Sequence, residues 1–310
     1  MAPTRIVALA GGTGAAKLLR GLAAALDPSA LSVVVNTGDD AEVWGLHVSP
    51  DLDSVMYALA GVLDVGRGWG RADETFRCLS AMAAYGAPTW FGLGDRDLAT
   101  HLVRTRALRA GQSLSAITAE LARALGVAPR LLPMSDEAVR TTIRTPDGRL
   151  GFQEYFVRDK CQVEVLGVDY DGAAGVRPAP GVLEAIRDAD LVVVCPSNPV
   201  TSVGPILAVP GVADALTATR ATVVGVSPIV GGAAVSGPAG ALLRARGLPV
   251  SPIGVARAYA PWLRVLLVAR EDAACAPELA AFGVTAVATD VMMPDRERET
   301  ALARVVLEQA

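Results

Sequence analysis

Residues 5–21 read RIVALAGGTGAAKLLRG and set the predicted fold. The apolar run from Ile6 to Ala10 predicts a buried strand, GGTG follows at once, and the residues after it have helical spacing. Free backbone N–H groups and the positive end of a helix dipole converge at such a turn and attract anions. We therefore predict that the turn binds phosphate through Gly11, Gly12, Thr13, Gly14 and Lys17.

This glycine pattern is less specific than the two best-known phosphate motifs. It lacks the GxGxxG spacing, and Lys17 follows the last glycine by three residues with no Ser or Thr after it. The alternative is a tight strand-to-helix turn that binds no ligand. The phosphate interpretation is favoured because this is the first βα turn of a predicted α/β chain.

Composition limits the function classes. The chain has 310 residues, 52% of them hydrophobic, which is enough for one large α/β domain or two unequal lobes. A formal net charge of −4 argues against a general nucleic-acid-binding protein, which usually carries a basic face. The four cysteines, at positions 78, 161, 195 and 275, form no CxxC pair and have no metal-ligand spacing. We expect a cytoplasmic protein that is not embedded in a membrane.

Later apolar runs complete a doubly wound, Rossmann-like, mainly parallel sheet. The predicted strands are residues 31–35, 190–195, 221–226, 265–268 and 285–288. Residues 131–177 change to alternating and β-branched patterns, with extended runs at 141–145, 150–157 and 161–168. We interpret them as a smaller inserted α+β subdomain between core segments 1–130 and 178–310.

Four carboxylates follow the second predicted strand, namely Asp39, Asp40, Asp51 and Asp53. Open α/β sheets bind ligands at this edge, and Mg²⁺ prefers one or two carboxylates together with substrate phosphates. The alternative is that the first two form a turn and the last two cap a helix, with Ser49 as another cap candidate.

Polar loops follow two later strands at the same edge of the predicted sheet. They contain Ser197 and Asn198, then Ser227, and then Ser236 and Gly237. We favour a ligand-binding role over two ordinary βα turns.

A helix is predicted from residue 69 to residue 84, and a second glycine turn precedes Asp95 and Arg96. An arginine at such a turn can bind phosphate or carboxylate as a bidentate donor. His101 has no partner at metal-ligand spacing and is assigned a structural or supporting role.

Nine ordered motifs resemble the 2-phospho-L-lactate transferase family (CofD, called FbiA in actinobacteria). They are GGTG at 11–14, VNTGDD at 35–40, SPDLD at 49–53, LGDRDLATH at 93–101, LPMSD at 132–136, FQE at 152–154, PSNP at 196–199, SPIVG at 227–231 and SGPAG at 236–240. Together they span essentially the whole chain, which makes them far more specific than any one motif.

The resemblance implies a Rossmann-like homodimer that makes the deazaflavin coenzyme F420. Such an enzyme transfers the phospho-acyl unit of a guanosine-diphosphate-activated three-carbon acid to the ribityl hydroxyl of the deazaflavin Fo. GMP leaves, and Mg²⁺ is required. The acid can be phospholactate, phosphoenolpyruvate or phosphoglycerate, and no single residue discriminates them. The alternative is a YvcK-like regulatory protein that binds nucleotide ligands without this catalysis.

The resemblance also implies roles for individual residues in binding the metal and the two substrates. Asp39 and Asp53 match the metal-binding acids, and Asp53 lies where the acceptor hydroxyl approaches. Gly11 to Gly14 and the Ser197–Asn198 loop match the diphosphate and nucleotide side. This chain departs from the archaeal pattern at Gly92, where many members have Lys or Arg, and Arg96 is the expected substitute.

The expected mechanism is phosphoryl-group transfer without a covalent intermediate. Asp53 or Asp51 orients or deprotonates the hydroxyl, and Arg96 offsets charge in the transition state. A nicotinamide-dependent oxidoreductase is a weaker alternative, because the second strand ends in Asn36 rather than in the acid that binds a ribose.

Overall fold

The computed structural model describes residues 5–310. Its strands are β1 (Ile6–Ala10), β2 (Leu31–Val35), β3 (Ala41–Val43), β4 (Leu46–Val48), β5 (Arg130–Pro133), β6 (Arg140–Thr145), β7 (Gly148–Gly151), β8 (Gly167–Asp171), β9 (Leu191–Val194), β10 (Thr222–Val226), β11 (Ile229–Val230), β12 (Ala233–Ala234), β13 (Val265–Ala269) and β14 (Thr285–Thr289). Its α-helices are α1 (Gly12–Ala25), α2 (Pro50–Leu59), α3 (Arg77–Ala84), α4 (Asp95–Arg109), α5 (Leu114–Ala124), α6 (Val182–Arg187), α7 (Gly204–Ala208), α8 (Val212–Ala218), α9 (Ala239–Ala245), α10 (Pro252–Ala258), α11 (Ala276–Ala281) and α12 (Arg296–Leu307).

The described residues contain a seven-stranded sheet in the order β14-β13-β10-β9-β1-β2-β5. All neighbouring strands in this sheet are parallel, and β1 lies between β2 and β9. Strand order therefore reverses beside β1, which is the place where doubly wound sheets bind ligands. The predicted Rossmann-like α/β fold is confirmed.

Successive residues of the central strands pack into two different hydrophobic cores. Val7 and Leu9 belong to one core, whereas Ile6, Ala8 and Ala10 belong to the other. All five are buried, as expected for a parallel strand that is covered by helices on both faces. Helices α1, α2 and α12 contribute to the second core, and α6, α8 and α10 contribute to the first.

The inserted sheet is smaller than predicted. Strands β6, β7 and β8 form a three-stranded antiparallel sheet, with β6 in the middle. Residues 131–133 were predicted to start the insertion, but they belong to β5, which pairs with β2 at the edge of the main sheet. The predicted run 150–157 ends early, because Glu154 Oε2 accepts the Gly151 N–H at 2.8 Å and residues 154–158 turn into a short π-helix. The run 161–168 is extended only at its end, where β8 begins.

The helix predicted from residue 69 is also shorter, because α3 begins at Arg77. The Asp95 carboxylate accepts the backbone N–H groups of Arg77 at 3.1 Å and Cys78 at 3.0 Å, which caps the helix there. Residues 66–70 instead form a loop that contains two glycines with positive φ, at 68 and 70.

Within residues 5–310, no single helix is long and apolar enough to cross a membrane. One helix pair, Pro199–Ala208 and Val212–Ala218, has sufficient length and hydropathy together but bends by 89° between its halves.

Candidate active site

A cleft of ≈ 990 Å³ opens where β1, β2, β9 and β10 end. It brings together most of the residues predicted from the sequence, although they are distant along the chain. The predicted residues that line it are Gly11, Gly12, Thr13, Gly14, Lys17, Asp39, Asp51, Asp53, Ser197, Asn198, Ser227, Ser236 and Gly237. Asp95 and Arg96 are not among the lining residues.

The glycine turn is packed more tightly than a simple phosphate loop requires. A Cβ on Gly11 would lie 2.3 Å from Asp51 Oδ2, and one on Gly14 would lie 2.3 Å from the Pro196 carbonyl oxygen. Gly12 has φ +73°, which disfavours other residues. The Gly11 N–H donates to Ser197 Oγ at 3.2 Å, which joins the turn to the loop after β9. These glycines are therefore needed for the fold of the site, whether or not a phosphate is bound.

The side chain of Lys17, on α1, contacts the C-terminal part of the chain. Its Nζ donates to the Met293 carbonyl oxygen at 3.0 Å, and it forms no ion pair within residues 5–310. The ammonium group is thus held at the cleft wall with its charge not cancelled by a carboxylate.

Two buried carboxylates, Asp39 and Asp51, share one amide donor. Asn36 Nδ2 donates to Asp39 Oδ1 at 3.0 Å and to Asp51 Oδ2 at 2.9 Å. Gln153 Nε2 donates to the other Asp39 oxygen at 3.1 Å. No ion pair within residues 5–310 involves either acid. We call Asp39 and Asp51 the unpaired acids.

Burial controls the protonation of the unpaired acids. Desolvation raises the pKa of Asp39 well above its usual value, and the neighbouring Asp51 adds to the effect. Desolvation also raises the pKa of Asp51 to about 6, although Asn36 and the Gly12 N–H oppose it. These shifts are caused mainly by burial, which no cationic partner of the two acids in the described part of the chain offsets.

Asp40 faces a different environment from Asp39, although it follows directly in sequence. It lies 2.9 Å from His47 Nε2 and accepts the Ser49 hydroxyl at 2.8 Å. Burial raises its pKa despite these partners. Ser49 holds the N-cap position of α2, but its hydroxyl is used for Asp40 and not for a helix N–H.

Asp53 belongs to a buried cluster that contains a cation, Arg104. Both its oxygens accept bonds from the Arg104 guanidinium, with 3.0 Å between Nη1 and Oδ2. His101 Nδ1 lies 3.7 Å from Asp53 Oδ2, and His101 Nε2 lies 3.3 Å from Asp97 Oδ1. Tyr57 donates its hydroxyl to Asp97 at 2.6 Å. We call Asp53, Asp97, His101, Arg104 and Tyr57 the Arg104 cluster.

The pKa shifts in the Arg104 cluster reflect these contacts. Burial by itself would raise the pKa of Asp97, but His101, Tyr57 and Arg104 outweigh it, and the pKa is lowered. Burial would also lower the pKa of Arg104, but Asp53 reverses this effect and the pKa is raised. Both groups therefore remain charged in the folded protein.

Sequence reasoning assigned no role to Arg104, Tyr57 or Asp97. A signal was present, because Asp97, His101 and Arg104 are spaced i, i+4 and i+7 and so share one face of α4. All three are buried polar residues, which identifies that face as a functional or ion-paired surface.

Asp95 and Arg96 were expected to contact the substrate, but neither residue lines the cleft. Asp95 caps α3, as described above, and Arg96 Nη1 donates to the Ala72 carbonyl oxygen at 3.3 Å. The nearest acid to Arg96 Nη1 is the exposed Asp73, at 3.9 Å. The expected substrate contacts of both residues, and the charge-offsetting role of Arg96, receive no support from this arrangement.

The loops after β9 and β10 are fixed by their own side chains. Asn198 Oδ1 accepts the Val200 N–H at 2.9 Å, and Ser227 donates to the Ile229 carbonyl oxygen at 2.8 Å. Gly237 has φ +66°, and with Ser236 it forms part of the cleft wall. The loops therefore present short polar groups in a preformed arrangement.

The family model for the 2-phospho-L-lactate transferase CofD matches residues 6–308. The chain belongs to the 2-phospho-L-lactate transferase family. The expected family is thus confirmed, and with it a transferase of coenzyme F420 biosynthesis that acts on small molecules.

Relatives within this family span the chain from end to end. A protein of Streptomyces griseus named phosphoenolpyruvate transferase is 48% identical and covers 99% of this chain and 98% of its own. A 2-phospho-L-lactate transferase of Methanosarcina barkeri is 41% identical and covers 97% of both chains.

A solved structure shows the same fold at lower identity. It is a member of the UPF0052 family from Bacillus halodurans, with a TM-score of 0.67, 19% identity and 99% coverage of both chains. It supports the architecture of the transferase family member described here and carries no functional assignment at that identity.

Proposed function

We propose that this chain transfers a phosphoenolpyruvyl unit from a guanosine-diphosphate-activated donor to the ribityl hydroxyl of the deazaflavin Fo. The hydroxyl oxygen attacks the phosphorus that carries the enolpyruvyl group, the P–O bond to the GMP portion breaks, and GMP leaves with the bridging oxygen. The hydroxyl proton passes to a carboxylate. The choice of acid is supported by relatives that are 48% identical and are named phosphoenolpyruvate transferases, against 41% for a phospholactate enzyme.

The observation that carries the proposal is the pair of unpaired acids beside the glycine turn. Asp39 and Asp51 are buried next to backbone N–H groups and lack any internal cation within residues 5–310. A diphosphate substrate with a divalent cation suits this arrangement, because the cation neutralises both partners.

Mg²⁺ is part of the proposal, and the residues fit it. Asp39 and Asp51 provide uncompensated charge, and Asp53, the second ligand predicted from the sequence, retains lone pairs beside its bonds to Arg104. When bound, Mg²⁺ would supply positive charge to the diphosphate oxygens.

The chain's own residues provide positioning and proton transfer. Arg104 fixes the Asp53 carboxylate in one orientation at the cleft wall, where it can accept a hydrogen bond from the acceptor hydroxyl. Asp51, with its pKa raised to about 6, is suited to accept a proton near neutral pH. The glycine turn and Lys17 provide N–H groups and positive charge for the donor phosphates.

The test is incubation with Fo, Mg²⁺ and each activated acid in turn. We expect GMP release and a deazaflavin product whose mass rises by the phosphoenolpyruvyl unit, fastest with that donor. Equal or faster turnover with phospholactate would contradict the assignment of the acid. No product with any donor would contradict the transferase assignment and favour a YvcK-like ligand-binding regulator.

The homodimer and the cytoplasmic location implied by the sequence resemblance are also proposals. Sedimentation velocity at micromolar concentration tests the first, with a species of twice the 31.9 kDa chain mass expected. Fractionation of the native cells tests the second.

A further inference from the structure

Helix α3 is almost entirely apolar, yet it packs into no hydrophobic core. Of its eight residues, RCLSAMAA, only Arg77 is charged, and the residue that follows them, Tyr85, is 87% exposed. None of the eight is buried, and none belongs to a hydrophobic cluster among residues 5–310. A helix that is apolar on nearly all sides is normally buried. A single copy of the chain therefore leaves α3 without the cover that its sequence requires.

Polar contacts at both ends hold α3 beside α4. Asp95, at the start of α4, caps the first turn of α3. Beyond the other end of α3, the Pro88 carbonyl oxygen accepts the Trp44 indole N–H at 2.8 Å. Arg109, at the end of α4, donates to the Gly45 carbonyl oxygen at 2.9 Å and so meets the same turn. These bonds position α3, but a helix this short is marginal in water and depends on packing for most of its stability.

The outward side of α4 extends the apolar surface of α3. Leu102 is 56% exposed and Val103 is 42% exposed, and Ala99, one turn earlier, is exposed as well. Single exposed apolar residues are ordinary, but a contiguous patch marks a site of interaction. We call this patch the α3–α4 face, and it comprises residues 77–88, Ala99, Leu102, Val103 and Arg106.

The size and charge of the α3–α4 face fit a second copy of this chain. An interface of standard size takes about 20–30 residues and about 800 Å² from each partner, and the face approaches that number of residues. Its charges lie at the margin, where Arg77 and Arg106 are positive and the exposed Asp73 is negative. An apolar centre with margin charges of both signs is complementary to itself, as a two-fold interface requires.

We propose that the α3–α4 face is the interface of a two-fold homodimer, in which the helix pairs of two copies pack against each other. Resting on the homodimer of the proposed function, this states where the two copies meet. The small side chains of Ala81, Ala84 and Ala99 allow the helices to approach closely. Tyr85 and Leu102 supply the largest apolar surfaces that the second copy removes from water.

The interface also adjoins the cleft. The segment that connects α3 to α4 lines the cleft with Thr89, Trp90, Phe91 and Gly92. Because this segment starts at the end of α3, a second copy that covers α3 also holds one wall of the cleft in place.

Sedimentation velocity of charged variants at micromolar concentration tests the interface. Ala81→Glu and Leu102→Glu each place two carboxylates in the two-fold interface and should weaken dimerisation at least about 100-fold. Both positions are exposed in a single copy, so the variants should fold, and melting curves verify this. Leu166→Glu, at a 52% exposed leucine outside the face, is the matched control and should stay dimeric.

Hydrogen exchange of α3 gives a second readout that does not depend on a change within that helix. In Leu102→Glu, the amide protons of α3 should exchange at least about 10-fold faster than in the wild-type dimer, because α3 loses its cover. The Leu166→Glu control should show the wild-type exchange rates. Equal exchange rates of α3 in the Leu102 variant and the wild type would overturn the proposal.

The interface, the homodimer and the transferase fail in different ways. A wild-type dimer that persists in both the Ala81 and Leu102 variants would overturn the interface and leave the homodimer standing. A wild type that is monomeric at micromolar concentration would overturn both. If the two variants dissociate but the wild type releases GMP from no donor, the interface holds and the transferase assignment is wrong.

Discussion

Two groups of buried carboxylates line the same cleft and differ in how their charge is balanced. The Arg104 cluster contains its own cation, because the Arg104 guanidinium binds both oxygens of Asp53 and helps to lower the pKa of Asp97. The unpaired acids, Asp39 and Asp51, have amide and backbone donors but no cationic partner within residues 5–310. The difference indicates that Arg104 balances the charge of Asp53 within the fold, whereas Asp39 and Asp51 require a cation from outside.

The physical basis is the cost of burying charge. An ionised carboxylate that loses water must gain hydrogen bonds and an opposite charge, or it becomes protonated. Arg104 supplies both to Asp53, but Asn36 supplies only hydrogen bonds to Asp39 and Asp51. The raised pKa values of the unpaired acids are the consequence of this difference.

The largest expected effect comes from removing the cation of the Arg104 cluster. Arg104→Gln leaves Asp53 buried without its partner and should lower the free energy of unfolding by about 3–5 kcal/mol. Urea denaturation measures it. The control Arg149→Gln breaks an exposed pair with Asp171 and should cost less than about 1 kcal/mol.

A double variant sharpens this prediction. Arg104→Gln combined with Asp53→Asn leaves no buried charge unpaired and should recover at least half of the lost stability. If the single Arg104 variant were as stable as the control, the cluster would not be held together by its charges.

The next largest effect is expected in the unpaired acids, on activity and not on stability. Asp39→Asn should reduce turnover at saturating Mg²⁺ by about 100-fold or more, because charge stabilisation dominates phosphoryl transfer. The apo variant should be at least as stable as the wild type, since burial already disfavours the charged form. Near-normal turnover with Asn at position 39 would exclude a role for that charge.

A smaller effect is expected in the pH dependence of stability. The pKa of Asp51 is raised from 3.8 to about 6 on folding, so its stabilising contribution is complete below 3.8 and is lost as pH rises through 6. Without divalent cations, the wild type should gain about 1.4 kcal/mol relative to Asp51→Asn between pH 8 and pH 5.

The measurement is urea denaturation in chelator at both pH values. Asp73→Asn, at an 88% exposed side chain, is the matched control and should show no such difference. A pH-independent gap between wild type and the Asp51 variant would contradict the raised pKa.

The smallest effect is expected at Arg96. Its guanidinium contacts Ala72 and the exposed Asp73, so Arg96→Ala should change kcat/KM by less than about 2-fold. A loss above about 10-fold would restore the transition-state role that the sequence suggested.

The fold was largely predictable because local patterns and parallel-sheet rules agree. The apolar runs at 6–10 and 31–35 became the adjacent strands β1 and β2 with the predicted boundaries. The inserted region was less predictable, because a single carboxylate, Glu154, stops the ladder at Gly151 through a contact that pattern reading does not show.

The sequence predicts which residues meet in the cleft, but it does not predict which of the acids have a cationic partner. The sheet edge brought the glycine turn, the acids and the serine loops together, as the sequence indicated. Which acids are neutralised depends on Arg104, which lies 51 residues from Asp53 along the chain. Similarly, Arg96 had a suitable motif, but its side chain turns toward Ala72.

The most direct test of the difference between the two acidic groups is Mn²⁺ binding, measured by electron paramagnetic resonance as a stand-in for Mg²⁺. Wild type, Asp39→Asn and Asp97→Asn are compared, with circular dichroism to verify folding. We predict that wild type and Asp97→Asn bind the ion alike, whereas Asp39→Asn weakens binding at least about 10-fold, since a carboxylate ligand is lost. Retention of the ion by Asp39→Asn, with loss in Asp97→Asn, would contradict the account.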